Sequence, residues 1–211
     1  VYTKAAPEYT GRVTVPTLWD KKKQTIASNE SAEIIRMFNS AFNGLEGVRT
    51  DLDFYPRELQ GEIDEVNARV YDTVNNGVYK AGFATAQDKY KEAYNALFDS
   101  LDWLEERLSG KRYLVGGRLT EADWRLFTTL IRFDAVYYSH FKCNRQRISD
   151  FPALSAYVRD LYQVPGVAET VDIDQIKRHY YVSQRTINPT QIVPVGPKLD
   201  FDSPHGRESL S

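Results

Sequence analysis

Val13-Thr14-Val15-Pro16-Thr17-Leu18-Trp19-Asp20, followed one turn and one short strand later by Ser28-Asn29-Glu30-Ser31, is the stretch that decides the fold of this chain. The first run alternates β-branched residues and then meets a proline. Having no N–H for a sheet ladder, that proline belongs at a strand start, an edge or a turn. A cis Val15-Pro16 bond, a state nearly confined to proline, would leave the N–H and C=O of Val15 pointing outward, where an extended peptide can pair with them. Lys21-Lys22-Lys23 reads as the solvated tip of a hairpin, with one face able to attract anions. The second run reads as a helix entry, with Asn29 or Ser28 as the expected cap of a segment carrying Ile34, Ile35, Phe38 and Phe42. The first turn of such a helix offers free N–H groups under a positive helix end. Ser31 adds a hydroxyl there, and Glu30 can accept from an ammonium. Together the two runs suit a small peptide with a free amino and a free carboxyl group.

Composition bounds the rest. The chain has 211 residues, 42% of them hydrophobic, and a net charge of −2, which describes an ordinary globular protein with no bias toward nucleic acid. No stretch approaches the length of a membrane span, and the first residues lack the pattern of a signal peptide. Three histidines without ligand spacing argue for no metal. The single cysteine, Cys143, rules out an intrachain disulfide and suggests a reducing compartment. Its neighbours Lys142 and Arg145 are basic, yet its place after a long helix reads as structural.

Residues 45–56 hold Gly47, the acids Glu46, Asp51 and Asp53, and Pro56, and read as a linker. From Pro56 onward the periodicity is helical. Leu59, Ile63, Val66, Val70, Val74 and Val78 line one helical face; Tyr90, Tyr94, Leu97, Leu101, Leu104 and Leu108 line a second. The two stretches are expected to break near Gly82 and stop at Gly110. Thr120-Glu121-Ala122-Asp123 reads as a capping box with Asp in place of Glu, so both ends of it are structural. The helix it opens carries Trp124, Phe127, Phe133, Tyr137 and Tyr138, an aromatic stripe read as core. Residues 152–161 and 174–181 are further helices. Residues 186–211 form an extended tail expected to pack on the body through Ile187, Ile192 and Val193.

The runs 13–20, 28–36, 75–84, 113–124 and 179–194 resemble the glutathionyl-hydroquinone reductases, the Xi class of glutathione transferases, across nearly the whole chain. The resemblance implies an α+β, mostly α fold. The C-terminal half of a thioredoxin-like domain occupies residues 1–44, followed by the linker, an all-α glutathione-transferase C-terminal domain over 57–185, and the tail. It also implies that Val15, Glu30 and Ser31 bind glutathione, and that Tyr79 and Tyr180 are the catalytic tyrosines serving the aromatic part of the substrate. A phenol can donate to a quinol oxygen while its ring flanks the substrate ring. Tyr181 is the alternative to Tyr180, and His179 reads as structural. The family's nucleophile, a cysteine in a Cys-Pro-x-x motif, has no counterpart in this sequence and is expected upstream of it.

The implied reaction is glutathione-dependent reduction of a glutathionyl hydroquinone to the hydroquinone, through a cysteine–glutathione mixed disulfide resolved by a second glutathione. Glutathione is the co-substrate and no metal takes part. The expected partners are glutathione and glutathionylated hydroquinones, with no nucleic acid and no membrane, in a cytoplasmic homodimer. Two other readings remain: a general glutathione transferase or thiol transferase, and a non-catalytic association module of the same fold.

Overall fold

The computed structural model describes residues 1–211, which divide into two compact units, Val1–Pro56 and Arg57–Ser211. In the first unit, a one-turn helix α1 (Tyr2–Ala5) precedes a two-stranded antiparallel hairpin, β1 (Leu18–Asp20) and β2 (Thr25–Ser28). Trp19 lies opposite Ile26 and Asp20 opposite Thr25, with a bulge between Leu18 and Trp19. The three lysines do form the hairpin tip. Asp20 shapes it, accepting the N–H groups of Lys22 and Lys23 at 2.8 and 2.9 Å, the short-range bonding that makes aspartate a turn residue.

Helix α2 (Ser31–Ser40) starts one residue later than a cap by Asn29 requires and two later than a cap by Ser28: Glu30 stands at the N-cap, and its side chain makes no cap bond. Both expected caps are engaged elsewhere. Ser28 Oγ accepts the N–H of Glu30 at 3.1 Å and donates to the Glu33 carboxylate at 2.8 Å. Asn29 turns the other way, donating to Tyr2 and Thr14. Of the apolar residues on α2 only Ile34 is buried; Ile35 and Phe38 are exposed.

The second unit is helical: α3 (Gln60–Val70), α4 (Gly77–Gly82), α5 (Gln87–Ser109), α6 (Glu121–Arg132), α7 (Pro152–Tyr162) and α8 (Ile173–Ser183). Ile63, Val66, Val70, Val74 and Val78 are all buried, as their spacing predicts. Steps of four residues overshoot an α-helical turn of 3.6, so a long run of them drifts round the helix. A π turn over Tyr71–Asn75, closed by Asn76 N–H to Tyr71 O at 2.9 Å, takes in the extra residue and returns Val74 and Val78 to the core face. A second π turn, Phe133–Tyr137, follows α6 in the same way.

The capping box at α6 forms a buried polar node. Asp123 accepts the N–H and hydroxyl of Thr120, the N–H of Leu114 and the hydroxyl of Tyr157, all at 2.8–2.9 Å. Burial still outweighs these donors and raises its carboxyl above the usual range. The tail packs on the helices, though less by its apolar residues than expected, since Ile192 is exposed. Its anchor is Arg207, a buried guanidinium that donates to the carbonyls of Leu108, Ala153, Lys111 and Arg112. No helix is long and apolar enough to cross a membrane.

Candidate functional site

In the first unit, the Val15-Pro16 peptide bond is cis and Val15 is 91% exposed. Neither its N–H nor its C=O is bonded within the chain. The loop is held from behind: the Tyr2 hydroxyl donates to Thr14 O at 2.9 Å, and Asn29 Nδ2 reaches the Tyr2 oxygen at 3.1 Å and Thr14 Oγ1 at 3.4 Å. Asn29 thereby ties the residue before Val15 to the residue before Glu30. Glu30 and Ser31 are exposed at the start of α2, and the Glu30 carboxylate and the Ser31 hydroxyl and N–H have no partner in the chain. The loop ahead of the hairpin therefore presents an open main-chain pair at Val15, and the helix start presents an acid, a hydroxyl and free N–H groups. That set fits an extended peptide and an amino-acid end.

In the second unit, Tyr79 on α4 and Tyr180 on α8 are brought together from 101 residues apart, their hydroxyl oxygens 2.6 Å from each other. Tyr79 is 37% exposed and Tyr180 only 5%. Tyr181 takes a different face, pairing with Ser139 at 2.5 Å. Adjacent residues of a helix diverge by about 100°, and Tyr180 is the one of the two that meets Tyr79.

Sequence reading placed Tyr137 in the core, and it is 2% exposed, but its hydroxyl lies 2.8 Å from that of Tyr180. Three phenol oxygens thus stand in a row. The signal that could have found it is the residue type, because a buried tyrosine needs a hydrogen-bond partner where a phenylalanine does not. Around the row, Phe83 stacks on Tyr79 at 6.3 Å and Phe141 meets Tyr79, Tyr137 and Tyr180 at 5.4–5.9 Å. Burial pushes the hydroxyls of Tyr137 and Tyr180 well above the ordinary phenol value. Both stay protonated as hydrogen-bonding groups.

Cys143 is buried, and burial lifts its thiol to about 12, so it is no thiolate at neutral pH. His179 packs edge-on against Tyr180 at 5.0 Å. No group of three or more His, Cys, Asp or Glu side chains is arranged to hold a metal ion.

The family model of the glutathione S-transferase C-terminal domain matches residues 87–160. Over 208 residues the chain is 60% identical to the glutathionyl-hydroquinone reductase YqjG of Escherichia coli, covering 99% of this chain and 63% of that protein. It is 58% identical to the glutathionyl-hydroquinone reductase PcpF of Sphingobium chlorophenolicum, covering 93% and 62%. The chain thus spans about three-fifths of the length of these relatives. The glutathione-bound structure of YqjG superposes with a TM-score of 0.95 over 99% of this chain and 67% of that one, at 59% identity. Glutathione transferase Xi 1 from Trametes versicolor gives 0.90 at 55% identity, over 93% and 68%. The chain belongs to the Xi class of glutathione transferases. Within that class, the hairpin and α2 correspond to the C-terminal half of the thioredoxin-like domain, and the helical unit to the glutathione-transferase C-terminal domain.

Proposed function

We propose that this Xi-class chain is the larger part of an enzyme that uses glutathione to reduce glutathionyl-hydroquinones to hydroquinones. The observation that carries the reading is the meeting of the Tyr79 and Tyr180 hydroxyls at 2.6 Å among aromatic rings, since a phenol pair of this kind suits a quinol oxygen and a planar ring. The 60% identity to a protein named as such a reductase supports it.

In this reading Val15 pairs through its main chain with the cysteinyl residue of the glutathionyl group. Glu30 receives the γ-glutamyl ammonium, and Ser31 with the helix N–H groups receives the carboxylate. The nucleophile is a thiolate of the whole protein outside these 211 residues, as Cys143 is unsuited to the role. The thiolate attacks the glutathionyl sulfur, an S–S bond forms, and the bond from sulfur to the ring breaks. The electron pair stays with the ring, which takes a proton to give the hydroquinone, while tyrosine hydroxyl donation stabilises the charge developing on the quinol oxygens. A second glutathione then releases the enzyme thiol as glutathione disulfide. The division into a partial thioredoxin-like domain over 1–44, linker 45–56, helical domain 57–185 and tail 186–211 is part of the same proposal. So are a cytoplasmic setting, where reduced glutathione is plentiful, and a homodimer.

The test is steady-state assay of the full-length protein with a glutathionylated 1,4-hydroquinone and glutathione, following both products by chromatography. One glutathione disulfide per hydroquinone is expected, and Glu30→Ala should raise KM for the conjugate by about tenfold or more, the loss of one charged hydrogen bond. Formation of conjugates in place of their cleavage would favour the general transferase. An unaltered KM in the Glu30 variant would refute the placement of the γ-glutamyl group.

A further inference from the structure

The hairpin ladder ends at Leu18 opposite Ser28, and beyond it no backbone–backbone bond joins the loop of Val15 to the start of α2. Side chains around the Tyr2 hydroxyl make that join. The hydroxyl donates to Thr14 O at 2.9 Å and lies 3.0 Å from Thr14 Oγ1. It receives the Thr14 N–H at 3.4 Å and Asn29 Nδ2 at 3.1 Å, and Asn29 Nδ2 also reaches Thr14 Oγ1 at 3.4 Å. The Thr17 hydroxyl sits beside the same groups and donates to Thr14 O at 3.3 Å. The helix turn that carries Tyr2 leans on its surroundings: the Tyr2 ring packs on Tyr9 with centroids 5.1 Å apart, and Lys4 lies over the Trp19 ring of β1.

Thr14 O belongs to the same peptide unit as the Val15 N–H. That unit is planar and trans, with its carbonyl and N–H on opposite edges. A donor that holds Thr14 O therefore turns the Val15 N–H the other way, where nothing in the chain accepts it. Asn29 precedes Glu30 in the chain, so its reach back to Tyr2 and Thr14 fixes how far the acid and hydroxyl of the helix start stand from that N–H. From this geometry we infer that Tyr2 and Asn29 are positioning residues of the peptide site: Tyr2 aims the Val15 N–H, and Asn29 sets its separation from Glu30 and Ser31. A ligand gripped at both places, as an extended peptide with an amino-acid end is, depends on this brace for affinity and not for chemistry. The inference rests on the reading of Val15, Glu30 and Ser31 as the glutathione grip.

The test uses the full-length protein and glutathione. Tyr2→Phe keeps the ring contact with Tyr9 and removes only the hydroxyl; Asn29→Ala cuts the brace from the other end. Each should raise the Kd for glutathione, measured by titration calorimetry, by about 2- to 10-fold, the worth of one neutral hydrogen bond. KM for a glutathionyl hydroquinone should rise in step while kcat is kept. The double variant should lose less than the product of the two single losses, because both side chains act through one hydroxyl. In the 15N-labelled protein, the amide proton of Val15 should move downfield when glutathione saturates the wild type, and move less in Tyr2→Phe. An unchanged Kd in both variants, with the Val15 shift seen in the wild type, would overturn the brace and leave the glutathione site standing. No Val15 shift in the wild type would overturn the site and the brace with it. A lower kcat at unchanged KM would overturn the positioning role.

Discussion

Gly82 should tolerate no side chain, because Phe141 occupies the space that a Cβ needs. A methyl group there would stand 2.2 Å from Phe141 Cγ, 2.4 Å from Cδ1 and 2.8 Å from Cβ. The last of these lies next to the Phe141 backbone, so rotating the ring cannot relieve it. Phe141 is fully buried and packs on all three tyrosines of the row, and any shift is passed to them. Overpacking of a closed core costs about 1–3 kcal/mol, and for a protein of this size each kcal/mol moves Tm by about 2–4 °C. Gly82→Ala is therefore expected to melt about 2–12 °C lower than wild type. Gly61→Ala is the control: it lies in α3 and its Cβ would meet nothing within 4 Å. It should gain up to about 1 kcal/mol from helix propensity, and melt at the same temperature or about 1–4 °C higher. Both are read by circular dichroism melts at one scan rate. An unchanged or raised Tm for Gly82→Ala would refute the argument from close approach.

Two further outcomes follow from buried groups. Arg207→Met should cost about 3–5 kcal/mol, because four carbonyls lose their donor and the buried Asp160 carboxylate, 4.0 Å from the guanidinium, loses a nearby charge. A lower urea midpoint and faster proteolysis within residues 186–206 are the readouts, and a tail that stays protected would refute its role as anchor. Cys143 should not react with a disulfide reagent at pH 8 in the folded chain and should react at once in denaturant. Its folded thiol sits at about 12 against an ordinary value of 9. Since the folded value is the higher one, the stability it contributes is complete below pH 9 and is lost as pH rises from 9 to 12. Rapid labelling of the folded chain would contradict its burial.

The helical half was open to sequence reading because its signal is local. The valines from 66 to 78 and the leucines from 97 to 108 repeat at helical spacing whatever surrounds them, and the Thr120–Asp123 box needs only a four-residue turn. The steps of four at Val70, Val74 and Val78 even carried the trace of the π turn, though periodicity alone does not say whether a run drifts or is corrected. The cap of α2 was misread because Ser28 and Asn29 had better partners: Glu33 for the one, and Tyr2 and Thr14, 27 and 15 residues away, for the other.

The sequence by itself determined the order of the helices, the proline turn ahead of the hairpin and the polar start of α2, since these rest on residue type and short-range geometry. Tertiary structure decided the tyrosine row. Tyr79, Tyr137 and Tyr180 lie on three elements, and no pattern along the chain says that a core tyrosine will end 2.8 Å from a second and that second 2.6 Å from a third. Hydrogen bonds between side chains far apart in sequence depend on where whole helices pack.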